Sequence, residues 1–423
     1  MSPAAVLHLV LAAAAGILPA GPAVQPGMKV DLALPVPLDH DDPSFGWGTI
    51  RLESGAPFDP ALPTVLVVAD GQQFFLRAGR VASIQEETFG PGINVIGVIG
   101  RGTSADILAR LGEGPEVDWA LAMRLFGSRQ WIGDIESARR AVAGPAGRVH
   151  LYGVSGGALL AHQYLAAHPE GAASAVTAVG PLRALEVELG LRHDRFWDEL
   201  GEQDPRLRAR LTRGLERSPA DRAILIRLLQ RQHFFVTPGR LPAERASLIE
   251  EMARGDAEAL ARRREAYQVD AVETMLAGPA GAPIRVRIYE SIHPLLGSID
   301  LFAGPVHPNA ENEYHVALPL VEASRRQGFP PVSASLPAAG QVLAEVLMLA
   351  GRHDQTADYR TQIALAARYP NGRLLLLDDD HMLARAEGSG LLRRLVPAFL
   401  VHGPGSAAMK ALEESIAGHR WRE

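Results

Sequence analysis

The chain has 423 residues, of which 47% are hydrophobic and 21% are charged, values that are ordinary for a globular protein with a large buried core. The formal net charge is -6, and no long run of lysine and arginine is present, so the charge pattern argues against a nucleic-acid partner. Cysteine is absent, which excludes disulfides, thiolate metal sites and a cysteine nucleophile.

Residues 1–27 form an apolar N-terminal segment. Its most apolar part, from Ala4 to Leu18, is followed by proline and small residues, which is typical of a signal-peptide cleavage region. The first lysine is Lys29, however, so the positively charged start of a signal peptide is missing. The stretch is also too short for a membrane span. A cytoplasmic location is favoured over export, with the segment either a packed N-terminal helix or an extension before a true start at Met28. The alternative is a cleaved signal peptide, and no stable membrane insertion is expected.

Short apolar runs that end on glycine predict the strands of a sheet. The runs are Thr64 to Ala69, Asn94 to Ile99, Arg148 to Tyr152 and Ala173 to Val179. Each has the length of a buried strand, and helical patterns separate them, notably at residues 134–143 and 157–167. Residues 30–52, which precede them, have the pattern of extended segments. Strands that alternate with helices predict a parallel sheet with right-handed crossovers.

Residues 182–338 have a different pattern, since they are rich in charge and helical in periodicity and carry almost no strand signal. Afterwards strands are predicted at Glu345 to Ala350 and at Arg373 to Leu377, with helices at 359–368 and from Gly388 onwards. The sequence therefore predicts a core of residues 28–181 and 339–423, interrupted by a helical lid of residues 182–338.

A G-x-S-x-G motif lies between a predicted strand and a predicted helix, with Ser155 at its centre. A strand-to-helix turn this sharp needs small residues, because a side chain at Gly153 or Gly157 would collide with the neighbouring backbone. The turn lifts the serine hydroxyl above the sheet and places it at a helix N-terminus. Ser155 is therefore the candidate nucleophile.

A serine hydroxyl needs a base to remove its proton, and that base needs a carboxylate to orient it. With this motif the acid and the histidine follow in that order, each on a loop after a later strand. The predicted strands after the insertion run into His353-Asp354 and into three aspartates that precede His381. We predict Asp354 as the acid and His381 as the base, with His353 as a competing histidine.

The three aspartates at 378–380 predict a solvated turn, since no histidine ligands stand at the spacing of a metal site. No metal or cofactor is expected. The tetrahedral oxyanion of the reaction needs two backbone N–H donors. The first is predicted at Gly156, and the second at Gln72 or Gly71 in the loop after the first apolar run.

With these motifs in place, the chain resembles the proline iminopeptidase and tripeptidyl aminopeptidase branch of the α/β hydrolases, from about Pro35 to Leu400. The resemblance is carried by VPLDHDDPSFGWGTIRL, by GRGTS, by the unit DIESARRAVAGPAGRVHLYGVSGGALLAHQYLAAHPE and by AGRHDQTADYRTQIALAARYPNGRLLLLDDDH. It implies an α/β-hydrolase fold, which is a mostly parallel sheet with helices on both faces and an inserted helical lid. We expect a serine hydrolase that forms an acyl-serine intermediate. Its expected substrate is a small molecule or peptide of the kind that an aminopeptidase cleaves.

In that branch, glutamates of the lid bind the free α-amine of the substrate. The segment Ile288 to Ile292 resembles one such site, so the resemblance makes Glu290 a candidate amine anchor. Two positions depart from the branch near the substrate. Its H-G-G-P-G loop is replaced by Asp70-Gly71-Gln72-Gln73-Phe74, and Ile99 stands where an aspartate is usual.

These departures leave two other functions open. One is an esterase, lactonase or natural-product-tailoring hydrolase with the same triad, because a fold does not determine the substrate. The other is a non-catalytic binding protein that kept the fold. The sequence does not indicate an oligomeric state.

Overall fold

Eight strands form one sheet in the part of the chain that the computed structural model describes, which comprises residues 24–71, 76–112, 114, 116–191, 195–197, 206–296, 306–329 and 333–421. The strands are β1 (Lys29–Pro37), β2 (Trp47–Pro57), β3 (Thr64–Val68), β4 (Asn94–Ile99), β5 (Val149–Val154), β6 (Ala172–Ala178), β7 (Glu345–Gly351) and β8 (Gly372–Leu377). Their order in the sheet is β1-β2-β4-β3-β5-β6-β7-β8. Strand β2 is antiparallel to both of its neighbours, and every other pair is parallel. This is the α/β-hydrolase fold, as the sequence predicted.

The α-helices follow in chain order. They are α1 (Val81–Ile84), α2 (Ala105–Leu108), α3 (Trp119–Phe126), α4 (Ser128–Ala143), α5 (Gly156–Ala167), α6 (Arg183–Glu188), α7 (Arg206–Arg217), α8 (Arg222–Gln232), α9 (Leu241–Arg254), α10 (Ala257–Ala266), α11 (Val269–Leu276), α12 (Ala282–Leu296), α13 (Pro308–Gln327), α14 (Tyr359–Ala366), α15 (Ala384–Gly388), α16 (Leu391–His402), α17 (Ala407–Lys410) and α18 (Glu413–His419). A π-helical turn covers Gln85–Phe89, and short 3-10 turns cover Pro43–Phe45, Arg101–Thr103, Ala109–Leu111, Arg195–Trp197, Pro219–Asp221 and Pro279–Gly281.

Helices cover both faces of the parallel part of the sheet. Within β3, Leu66 and Val68 pack into the core that contains α4 and α5, whereas Val65 and Val67 pack into the core that contains α16. Successive side chains of a strand point to opposite faces, so a strand covered on both sides reads as a continuous apolar run. Strand β1 lies at the edge of the sheet, and its buried and exposed residues alternate. This difference explains why the central strands gave the clearest patterns in the sequence.

The described residues between β6 and β7 form helices and no strand, as predicted for the insertion. This segment has a hydrophobic core of its own, built around five fully buried leucines at 211, 215, 228, 229 and 248. Local sequence signals set the boundaries of its helices. Helix α9 stops at Gly255, which has a φ of 70°. The Asp256 side chain caps α10 by accepting the N–H of Ala259 at 3.0 Å. The division into residues 28–181, 182–338 and 339–423 stays a prediction.

The N-terminal segment is described only from Val24, which packs into the core. Residues 1–23, on which the predictions of a signal peptide or packed helix fall, lie outside the described residues. Within the described part of the chain, no helix combines the length and the apolar character that crossing a bilayer requires.

A buried ion pair holds the GRGTS loop that follows β4. Arg101 is 0% exposed, and its Nε and Nη2 donate to the two carboxylate oxygens of Asp134 at 2.8 and 2.7 Å. Its Nη1 donates to the carbonyl oxygens of Leu38 at 3.0 Å and Leu125 at 2.7 Å. One guanidinium thus joins this loop to α3, to α4 and to the turn after β1.

Asp134→Ala is expected to lower the free energy of unfolding by about 3–5 kcal/mol, because it leaves the Arg101 charge buried without its carboxylate. Chemical denaturation followed by circular dichroism measures this loss. The matched control is Glu258→Ala, whose ion pair with Arg262 is exposed, with side chains 87% and 65% accessible. That variant is expected to show no measurable change. Equal losses in the two variants would contradict the structural role of the buried pair.

Candidate active site

Ser155 occupies a strained turn between β5 and α5. Its φ is 53° and its ψ is -123°, an unusual conformation for a residue with a side chain. A Cβ atom on Gly153 would lie 2.4 Å from the carbonyl oxygen of Gly157, so position 153 requires glycine. The sharp turn predicted from the motif is therefore present, and Ser155 immediately precedes the first residue of α5.

The structure brings the three predicted triad residues into one hydrogen-bonded chain. The Nε2 atom of His381 lies 3.1 Å from the Ser155 hydroxyl oxygen, and its Nδ1 atom lies 2.8 Å from Oδ2 of Asp354. Both Asp354 and His381 are buried, with 1% and 6% of their surfaces exposed. A serine that is activated by a base and an orienting carboxylate requires an arrangement of this kind.

The second oxygen of Asp354 is held by its own loop. Its Oδ1 atom accepts the backbone N–H groups of Thr356 at 2.8 Å and Ala357 at 2.9 Å. These two donors fix the orientation of the carboxylate, which leaves Oδ2 for the histidine.

The loops after β7 and β8 meet closely at Gly351. A Cβ atom there would lie 2.5 and 2.6 Å from the carbonyl oxygens of Asp380 and Asp379. Asp379 accepts the backbone N–H groups of Arg385 at 3.2 Å and of Ala386 at 2.8 Å. The glycine permits the close approach of the two loops, the N–H of His353 donates to the carbonyl oxygen of Asp379 at 2.9 Å, and the side chain of Asp379 orders the histidine loop.

The prediction of a solvated turn at the three aspartates is wrong for two of them. Asp379 is 3% exposed and Asp380 is 7% exposed, and the Oδ1 atom of Asp380 accepts the N–H of Met382 at 2.9 Å. Burial and the neighbouring Asp379 charge raise the pKa of Asp380. These carboxylates shape the loop that carries His381, a role that an acidic run in a sequence does not reveal.

The competing histidine, His353, points elsewhere. Its Nε2 atom lies 3.2 Å from Oδ1 of Asp378, and its ring packs edge-on against Trp421 at 5.5 Å between centroids. No contact joins it to Ser155 among the described residues. His353 is therefore placed beside Asp378 and Trp421, and not between Asp354 and Ser155 as His381 is.

The insertion adds two residues that the sequence analysis missed. The rings of His233 and Phe234, just after α8, lie 6.4 and 5.4 Å from the His381 ring. The Nε2 atom of His233 is 2.7 Å from the Thr356 hydroxyl. Burial, followed by the charges of His381 and nearby arginines, holds the pKa of His233 well below its usual range. His233 is therefore neutral at neutral pH and adds no positive charge beside His381.

The predicted oxyanion donors are described only in part. Gly156 is the first residue of α5, where a backbone N–H has no partner within the helix. Gly71 packs against α12, since a Cβ atom there would lie 2.7 Å from the carbonyl oxygen of Pro283. Gln72 lies outside the described residues. The contribution of all three to an oxyanion site stays a prediction.

Asp70, which replaces the histidine of H-G-G-P-G, lies directly beside the nucleophile turn. Its carboxylate oxygens would be 2.4 and 2.5 Å from a Cβ atom on Gly156, and the residue is 2% exposed. The Nε atom of Arg287 on α12 lies 3.6 Å from Oδ2 of Asp70. The insertion thus places the Arg287 guanidinium beside the carboxylate of Asp70.

Glu290 is fully engaged in contacts with protein groups. Its two oxygens accept the backbone N–H of Ser128 at 3.0 Å each, and Oε1 also accepts the Ser128 hydroxyl at 3.0 Å. It forms a buried ion pair with Arg287. Burial raises the pKa of Glu290, and Arg287 and Ser128 oppose that rise. No contact joins it to Ser155, Asp354 or His381 among the described residues, and its carboxylate anchors the start of α4.

No group of three or more histidine, aspartate or glutamate side chains in the described part of the chain is placed to hold a metal ion.

Solved structures with a similar fold include the proline iminopeptidase of Mycobacterium smegmatis, at 17% identity and a TM-score of 0.49, over 90% of this chain and 99% of that one. A thermophilic esterase from Thermogutta terrifontis matches at 15% identity and a TM-score of 0.40, over 88% of this chain and 98% of that one. The enol-lactonase of Burkholderia xenovorans matches at 13% identity and a TM-score of 0.38, over 82% and 95%. No protein-family model and no curated protein matches the sequence. Likeness at these identities is no evidence of a shared substrate.

Proposed function

We propose that the protein is a serine hydrolase that cleaves a carboxylic ester through an acyl-serine intermediate. The observation that carries this proposal is the continuous chain from the Ser155 hydroxyl through His381 to Asp354, with contacts of 3.1 and 2.8 Å. A merely structural serine needs neither a strained turn nor a buried histidine with its own carboxylate. The same chain opposes the alternative of a non-catalytic binding protein.

In the proposed reaction, Oγ of Ser155 attacks the substrate carbonyl carbon while Nε2 of His381 takes the hydroxyl proton. Asp354 keeps Nδ1 protonated and stabilises the imidazolium that forms. The oxyanion is stabilised by the N–H of Gly156 and by a second N–H from Gly71 or Gln72. His381 then protonates the leaving alcohol, and a water molecule attacks the acyl-serine by the same steps in reverse.

The helical insertion acts as a lid in this proposal. Phe234 packs on the imidazole of His381, and Pro283 packs on the loop of Gly71. Such contacts exclude water from the developing charge and limit the substrates that can reach Ser155.

The side chains of the insertion favour an ester over the aminopeptidase-like substrate that the resemblance implied. An amine anchor needs a carboxylate that faces the substrate, but Glu290 is already satisfied by Ser128 and Arg287. Phe234, whose ring lies beside His381, lines a cavity together with Arg227 and Arg231, and these two arginines repel a protonated amine. We therefore do not propose Glu290 as an amine anchor.

The direct test of the class is a fluorophosphonate probe, which reacts with activated serines, followed by peptide mapping of the label. The label is expected on Ser155. A panel of p-nitrophenyl acyl esters and aminoacyl arylamides then separates the substrate classes, and the esters are expected to be the better substrates. Fast turnover of aminoacyl arylamides alone would favour the peptidase-like function.

Glu290→Gln is expected to lower the melting temperature and to change the kcat/KM of esters and aminoacyl arylamides by the same factor. The reason is that the substitution weakens a buried ion pair and the start of α4 without touching substrate. Thermal denaturation and the kinetics of both substrate classes measure the two effects. A rise in KM confined to aminoacyl substrates would instead make Glu290 an amine anchor.

A further inference from the structure

A cavity of about 340 Å³ lies within the insertion, between α8, α11, α12 and α13. Much of its wall is apolar, with Val272, Leu276, Ile284 and Val316 among the lining side chains. Phe234 also lines it, and the ring of Phe234 lies 5.4 Å from the ring of His381. The cavity therefore comes within one side chain of the proposed catalytic base.

The charged side chains that line this cavity are both cationic. Arg227 and Arg231, one turn apart on α8, both line it, and no acidic side chain lines its described walls. Arg227 is paired with Glu273, and its Nε donates to Oδ1 of Asn312 at 3.1 Å. Arg231 donates from Nε to the carbonyl oxygen of Tyr267 at 2.5 Å and has no carboxylate partner among the described residues. Among the described residues, one of the two guanidinium charges thus has no counter-charge.

The surroundings of Arg231 favour the binding of an anion beside its guanidinium. Burial lowers the pKa of Arg231, and the neighbouring Arg227 charge lowers it further. An arginine side chain keeps its charge even so, and its planar donors match a carboxylate in a bidentate geometry. A carboxylate placed here would relieve the repulsion between the two arginines and would be only partly screened by water.

We propose that this cavity binds a carboxylate group of the substrate, with the apolar walls holding the chain that connects it to the scissile ester. The inference rests on the proposed serine hydrolase function and specifies its substrate class, a monoester of an aliphatic dicarboxylic acid. Hydrolysis breaks the acyl carbon–oxygen bond at the other end of the chain. Water supplies the hydroxyl of the new acid and the proton of the released alcohol, so the bound carboxylate does not react.

The test compares p-nitrophenyl monoesters of six- to ten-carbon dicarboxylic acids with p-nitrophenyl alkanoates of equal chain length. The wild-type protein is expected to have a kcat/KM about 10- to 100-fold higher for the charged ester, in line with one partly buried charge-assisted contact. Arg231→Gln is expected to abolish that preference while the neutral ester is hydrolysed as before. Arg231→Lys should retain part of the preference for the charged ester, because lysine keeps the positive charge but lacks the two parallel N–H donors of the guanidinium. The control is Arg213→Gln, at an exposed position on α7, which should keep the full preference.

Three results would overturn the inference. The first is a wild-type protein with no preference for the charged ester, which would leave the serine hydrolase proposal standing. The second is an equal loss for both esters in Arg231→Gln, which would indicate a structural role. If no ester in the series is turned over, calorimetric titration of the wild-type protein with the nine-carbon dicarboxylate decides. If the wild-type protein binds the dicarboxylate and Arg231→Gln does not, the result supports the site. If the wild-type protein does not bind it, the result overturns the inference. The hydrolase proposal fails separately, through absence of fluorophosphonate label on Ser155.

Discussion

Ser155→Ala is expected to abolish covalent labelling by a fluorophosphonate and to lower kcat for the best ester by about 10⁴- to 10⁶-fold. The substitution removes the oxygen atom that lies 3.1 Å from Nε2 of His381, so neither the bond to the probe nor the acyl-serine can form. Residual turnover would come from the oxyanion donors and from substrate binding alone. Gel fluorescence and steady-state kinetics on the purified variant measure the two effects.

Ser137→Ala is the matched control for this variant. The Ser137 hydroxyl donates to the carbonyl oxygen of Gly133 within α4, and the residue makes no contact with the triad. Its variant should be labelled and should turn over substrate like the wild type. Undiminished labelling of Ser155→Ala would show that another residue is the nucleophile and would refute the assignment.

Asp354→Asn is expected to lower kcat by about 10⁴-fold. The carboxylate accepts from three N–H groups, two of the backbone on Oδ1 and that of His381 on Oδ2. An amide has a single acceptor oxygen, so its NH₂ must face either the loop donors or the imidazole. Because the loop donors hold the oxygen, the NH₂ would face Nδ1 and favour the tautomer in which Nε2 carries the proton. His381 could then no longer accept the proton of Ser155.

Asp358→Asn tests whether this loss is specific to the triad. Asp358 is also buried, but it caps α14 by accepting the N–H of Arg360 at 2.9 Å and pairs with the guanidinium of that residue. Its variant should lose roughly 1 kcal/mol of stability and keep its turnover within a few-fold of the wild type. If Asp354→Asn retained more than a tenth of the wild-type kcat, Asp354 would not be the orienting acid.

The parallel strands could be predicted from the sequence because burial on both faces makes each one a short apolar run. The prediction for residues 94–99 coincides with β4, and those for the other parallel strands differ from the structure by one or two residues. The start of α4 was placed too late, at residue 134 instead of Ser128. The first turn of α4 is held by Glu290, which is 162 residues away in sequence from Ser128. No local pattern records such a contact.

The positions of Ser155, Asp354 and His381 could also be predicted from the sequence, because each belongs to a turn or loop directly after a strand. Strands of a parallel sheet end at the same edge, so residues that are distant in sequence meet there once the sheet forms. The order of the three along the chain then assigned a role to each one. In the structure the three side chains form one hydrogen-bonded chain, and their catalytic roles stay a proposal.

By itself, then, the sequence determined the alternation of strands and helices and the helical character of the segment between β6 and β7, and it led to the three residues proposed for catalysis, since these depend on short-range patterns and their order. The tertiary structure alone decided how the insertion meets that site. It placed Phe234 against His381, engaged Glu290 with Ser128 and Arg287, and brought Arg227 and Arg231 into one cavity. Helical periodicity shows only which face of a helix is buried, whereas the partner of that face is set by the packing of many helices at once. That packing is where the substrate preference of this protein is expected to lie.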